Sequence, residues 1–252
     1  MRAIAGTVIA AILAFLFLSY CAYEILDKAT DQYLSALMTK VAPPLFAAFA
    51  GALAAYLFAV NREHAAEERD HISAGNFAVF TLHHMYTVLS TIKSHYIDPT
   101  RADPDRWLSM NTPAPGFVRE ISFDLEALNF FLDHPSERSP GGQLLSDLLF
   151  LGEQFRTIIR MLDERGRLIG EEVIPALHKL TIPTSGTPAE AVRTVFPAYH
   201  HRLIRLTNDL VTRVDDLVLE LEKIYPRLQS ALKFLLPRGK FMTLNFSEPP
   251  KV

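Results

Sequence analysis

Histidines and carboxylates at helical spacing are the residues of this chain that could do chemistry. Glu68-Arg69-Asp70-His71 has the Glu-x-x-His spacing with which ferritin-like bundles hold a metal pair. Such a centre needs two of these motifs and two further inward-facing glutamates, and no second motif follows downstream. His83-His84 and His200-His201 are adjacent pairs. Neighbours on a helix point about 100° apart, so neither pair can grip one ion from one face. A site joining one histidine of each pair across two helices stays open. There is no Gly-x-Ser-x-Gly to build a nucleophile elbow. Pro237-Arg238-Gly239-Lys240 lacks the upstream glycine of a phosphate loop. No catalytic, cofactor-binding or metal residue is assigned; the expectation is a protein without a cofactor that is not an enzyme.

The remaining polar features read as surfaces. Glu153, Arg156, Arg160, Glu164, Arg167 and Glu171 form a ladder of mixed sign along one helix, which is usually an exposed face. Arg156 and Arg160 together are candidates for contact with an anionic partner. Trp107 is the single tryptophan and lies in a loop rich in Pro and Asp. It either packs that loop onto the body of the protein or recognises a partner. The net charge of −3 provides no basic field for nucleic acid, so direct sequence-specific binding to nucleic acid is not expected. The one cysteine, Cys21, excludes a disulfide framework.

The elements that must position these residues fall into two classes. Of 252 residues, 49% are hydrophobic, and the mean hydropathy is +0.14. Those values suit a few membrane spans joined to an ordinary domain. Residues 3–23, AIAGTVIAAILAFLFLSYCAY, and 41–60, VAPPLFAAFAGALAAYLFAV, carry no charge, and each reaches the roughly 20 residues that a helix needs to cross a bilayer. Pro43 and Pro44 are expected in the first turn of the second span, where a missing N–H matters least. The first run is too long, and ends too bulkily at Tyr23-Glu24, for a cleaved signal peptide. The short N-terminus and the absence of cysteine after Cys21 favour both termini inside, although the positive-inside bias is slight.

After Ser73 the pattern turns amphipathic. Ala78, Leu82, Met85, Leu89, Ile92 and Tyr96 recur at helical spacing as far as Asp98-Pro99. A second helix is expected over Gly116–Asp133 (Phe117, Ile121, Leu125, Leu128, Leu132). A third is expected over Gln143–Leu180, disturbed at Pro175, with the stripe Leu144, Leu148, Leu151, Phe155, Ile158, Leu162, Ile169, Val173 and Leu177. Thr187-Pro188-Ala189-Glu190 reads as a helix start. A last long helix carries Leu203, Leu206, Leu210, Leu217, Leu221, Ile224 and Leu228. Only KFMTLNF near the C-terminus alternates with a period of two. The expected fold is therefore all-α. Its parts are a transmembrane hairpin in residues 1–60, a charged helical stalk in 61–75, an up-and-down bundle of about four long helices in 76–236, and an extended tail in 237–252. If the second span continues unbroken through VNREHAAEERDHISAGN, residues 60–76, that stretch is a stiff rod coupling bundle to membrane.

Ala47, Gly51, Ala55 and Ala59 recur every four residues on one face of the second span. Small residues so spaced let helix backbones approach closely in lipid, which points to a packing seam. The seam joins either copies in a homo-oligomer or the first span of the same chain, whose Gly6 and Ala10 are similarly spaced. The bland alternative is that alanine is simply a good helix former. Two spans with a compact helical cytoplasmic domain and no enzyme motif resemble the two-transmembrane membrane effectors of bacterial anti-phage defence systems, including retron-type ones. That resemblance implies an inner-membrane protein with both termini cytoplasmic. It would be held inactive by a cytoplasmic regulatory protein or ribonucleoprotein, and would disrupt membrane lipid when released or assembled. A membrane-anchored sensor or scaffold, whose bundle binds a protein partner, and a lipid enzyme at the membrane surface are the alternatives.

Overall fold

The computed structural model describes Tyr20 and residues 32–113, 121–132, 141–179 and 187–243, without the side chains of 32–39, 41, 42, 45 and 46. The described residues are helical with irregular connections, and no strand occurs among them. The all-α expectation is met. The chain divides into two compact units, Met1–Ala66 and Glu67–Val252.

The first long helix, α1 (Gln32–Ile92), is unbroken through residues 60–76. It begins well before the second apolar run, so Pro43 and Pro44 lie inside it rather than in its first turn. No helix among the described residues is long and apolar enough to cross a membrane. The first run, 3–23, lies outside the described residues, Tyr20 excepted.

In the second unit, α1 passes through a π turn (Lys93–Ile97) into a 3-10 turn (Asp98–Thr100). A short helix α2 (Arg106–Ser109) follows. Then come α3 (Gly141–Arg167), a second π turn (Leu168–Val173), α4 (Ile174–Lys179), α5 (Pro188–Val195) and α6 (Pro197–Leu235). Each π turn precedes a proline, Pro99 or Pro175. A proline removes one backbone bond and its ring crowds the carbonyl four residues back, and a widened turn relieves both. At the first π turn the widening moves the buried register on by one residue, so that Ile97 is buried where the spacing predicts Tyr96. Around the second, Leu168 is buried with Ile169 partly buried beside it, and Val173 is buried as spaced.

The α1 and α6 helices run antiparallel. Tyr86 donates to Glu222, Lys93 pairs with Asp215 at 2.8 Å, and Asn76 binds the chain beyond α6 at both Lys240 O and Met242 N. The α3 helix is also antiparallel to α6, through Asp147–Arg227 at 2.8 Å, Gln154–Arg213 and Glu164–Arg202. α1 and α3 are therefore parallel, and the chain between them must travel back along the bundle.

The sequence pattern assigns that return leg to a helix over Gly116–Asp133; 116–120 and 133 lie outside the described residues, and over 121–132 the structure corrects it. Residues 121–124 are irregular, 125–128 form a turn and Asn129–Phe131 a single 3-10 turn. Asp124 Oδ1 accepts the Ala127 N–H at 3.0 Å, a local bond that competes with the helical ladder. Leu128, Phe130 and Phe131 are buried, while Leu132 is exposed. Among the described residues the bundle therefore has three long helices where the sequence pattern implies about four. Beyond α6, residues 237–238 form a turn and 239–243 have no regular secondary structure, with Phe241 packed on the core; residues 244–252 lie outside the description.

Candidate functional site

The seam residues Ala47, Gly51, Ala55 and Ala59 are all exposed, and a Cβ added at Gly51 meets nothing within 4 Å. Large side chains on the same stretch are also exposed, Tyr56 at 63% and Phe58 at 76%. Leu53 and Leu57 are half-buried, so α1 has two distinct faces here.

The most elaborate polar arrangement sits at the other end of the sequence pattern, around Trp107. Residues 98–113 form a strap across α6. Arg101 donates to Asp98 and to both carboxylate oxygens of Asp215. Asp215 also takes Lys93. Burial raises the Asp215 pKa, but its bonds to Arg101 and Lys93 outweigh that and hold the carboxyl below the usual range. Arg106 reaches Asn208 at 2.7 Å. Asp103 closes a turn by accepting from Asp105 N and Ser109 Oγ; those bonds, the hydroxyl first, lower its pKa. Asp105 joins the strap to α5 through Arg193 at 2.8 Å.

Trp107 is 3% exposed, so the tryptophan packs the loop inward and presents no ring surface to a partner. It joins Leu168, Val173, Ala189, Val192 and Leu203 in a small second core. Its indole N–H donates to Asp105 Oδ1 at 3.2 Å, and His200 meets the ring edge-on at 4.8 Å. Burial, then the charges of Arg193 and His201, pushes the His200 pKa down against the opposing pull of Asp105.

Arg165 lies fully buried beside Trp107. Its Nε donates to Thr207 Oγ1 at 3.0 Å and its Nη2 to the Trp107 carbonyl at 3.0 Å, while Nη1 has no hydrogen-bond partner. Desolvation lowers its pKa to about 10, so it remains a cation at neutral pH. Neither Arg165 nor Thr207 is singled out by motif. The available signal was positional: each occupies a place on an otherwise apolar helical stripe, after Leu162 and between Leu203 and Leu210.

The other sequence candidates are placed plainly. Arg156 pairs with Glu153 at 2.6 Å, and Arg160 is exposed one turn on. Glu164 leaves the predicted ladder to pair with Arg202 on α6. His71 stacks on Phe130 at 4.5 Å. Because Tyr86 meets Glu222, His83 and His84 sit at that level of α6, about six turns or ~33 Å from His200 and His201. The cross-helix histidine site is not assembled. Among the described residues, no group of three or more His, Cys, Asp or Glu side chains comes together as a metal site. A cavity of about 340 Å³ lies between α1 and the 121–128 segment, lined by Asp70, Ser73, Ala74, Phe77, Asp124 and Leu128 among others. No protein family, curated protein or solved structure matches this chain.

Proposed function

We propose that this protein is an effector of the bacterial inner membrane, with both termini cytoplasmic. Residues 3–23 and 41–60 form its spans. The helical unit of residues 67–252 is the part that a cytoplasmic regulatory protein or ribonucleoprotein holds inactive. Release or assembly along the Ala47–Ala59 seam then disrupts the bilayer. One observation carries the reading: the uncharged surface of α1 between Ala47 and Ala59 is exposed, aromatic rings included, with open space at Gly51. Water penalises such a surface at about 25 cal/mol per Å². Lipid does not, and in lipid small residues at this spacing bring helices together. The scaffold reading draws on a different observation, the exposed Phe77 and Phe80 beside the cavity on α1. Replacing residues 1–60 with an unrelated membrane anchor separates the two. The effector reading predicts loss of membrane damage in cells with partner binding retained; full activity with the foreign anchor would overturn it in favour of the scaffold.

A further inference from the structure

A buried arginine without a carboxylate is an expensive feature, because a charge removed from water is normally matched by an opposite one. The acids near Arg165 are engaged elsewhere or face solvent. Glu164 pairs with Arg202, Asp105 takes Arg193 and the Trp107 indole, and Asp163 is exposed. Thr207 is equally unusual. Thr91, Thr100, Thr157 and Thr194 each donate their hydroxyl to the carbonyl four residues back, the ordinary arrangement for a helical threonine. Thr207 Oγ1, fully buried, instead accepts from Arg165 Nε, and its own hydroxyl proton has no acceptor among the described residues. Two buried donors, Arg165 Nη1 and the Thr207 hydroxyl, thus belong to side chains already bonded to each other, and neither has an acceptor there. The ligand chemistry that satisfies both is an anionic oxygen group.

We propose that Arg165 and Thr207 form an anion-receiving site, which takes a single carboxylate or phosphate group under the Trp107 strap. The strap governs access. It is held by ion pairs that remain partly solvated, Arg101–Asp215 to α6 and Arg193–Asp105 to α5, each of which contributes little to stability. A π turn, a local geometry that recurs at functional sites, begins three residues after Arg165 at Leu168. The inference is independent of the membrane reading, since every residue it uses lies in the Glu67–Val252 unit.

Trp107, the only tryptophan, reports on the site directly. The whole chain in detergent is melted while Trp107 emission is followed. Inorganic phosphate and sodium acetate are added in separate series, each against sodium chloride of equal ionic strength. The wild-type midpoint should rise with one or both oxyanions by several degrees beyond chloride, and the two series tell phosphate from carboxylate preference. Arg165→Met, which keeps the volume and removes the charge, should abolish that rise. Thr207→Val should reduce it, and serves alone should Arg165→Met fail to fold. A wild-type protein stabilised no more by oxyanions than by chloride overturns the proposal. So does an undiminished rise in Arg165→Met or Thr207→Val.

Discussion

His200 stands edge-on to Trp107, and its depressed pKa gives this corner of the protein a pH dependence whose sign is fixed. The unfolded chain binds the proton near the ordinary pH of about 6.5, and the folded chain only at lower pH. The neutral ring's advantage is complete above 6.5 and is lost as pH falls through that value towards the folded one. Stability should therefore decline between pH 7 and pH 5, and His200→Gln should flatten that part of a melting-temperature profile. Asp215 behaves similarly in a lower window. Its carboxylate holds Lys93 and Arg101, so Asp215→Asn should cost about 1 kcal/mol at neutral pH in a denaturant titration. Residue identity made part of this legible. The apolar stripes named the core, and Trp107 was one of two readings of a loop residue. Arg165 was hidden because a period says which positions are buried, not that a charge occupies one of them.

Elements were legible wherever the helical period was undisturbed, and failed where local chemistry overrode it. Ala78, Leu82, Met85, Leu89 and Ile92 are buried as spaced, and so are Leu144 to Leu162 on α3. Thr187 caps α5 by accepting the Glu190 N–H, as its motif implies. The one-residue slip at Tyr96 comes from a π turn, which a 3.6-residue period cannot express. The irregular course of residues 121–132, where a helix is expected, comes from Asp124 and from the close approach of α3 to Phe131. A Cβ on Gly141 would run into the Phe131 carbonyl oxygen, so α3 can start there only with glycine. Gly141→Ala should accordingly destabilise the protein by about 2 kcal/mol or more. Gly170, in the second π turn, meets nothing within 4 Å. Gly170→Ala should stabilise by roughly 0.5 kcal/mol, since alanine loses less backbone freedom on folding. Urea midpoints of the two variants would check both signs. The charged stretch 60–76 is helix throughout, so spin labels at Glu63 and Glu67 should show restricted motion.

For the whole molecule, the central claim is that α1 presents an uncharged face which lipid and other copies of the chain cover. Gly51 isolates that claim, because a Cβ added there meets nothing within 4 Å. Gly51→Ile should leave the bundle's helicity and melting unchanged while it holds neighbouring copies apart. Leu53→Ile, on the half-buried face, is the control. Each interhelical contact is worth only about 1 kcal/mol, but identical seams repeat the loss around an oligomer. The direct measurement follows crosslinked oligomers and membrane depolarisation in the same cells, at matched expression of wild type, Gly51→Ile and Leu53→Ile. The account predicts that Gly51→Ile loses oligomers and depolarisation together while Leu53→Ile keeps both. Oligomers and depolarisation at wild-type levels in Gly51→Ile would contradict it.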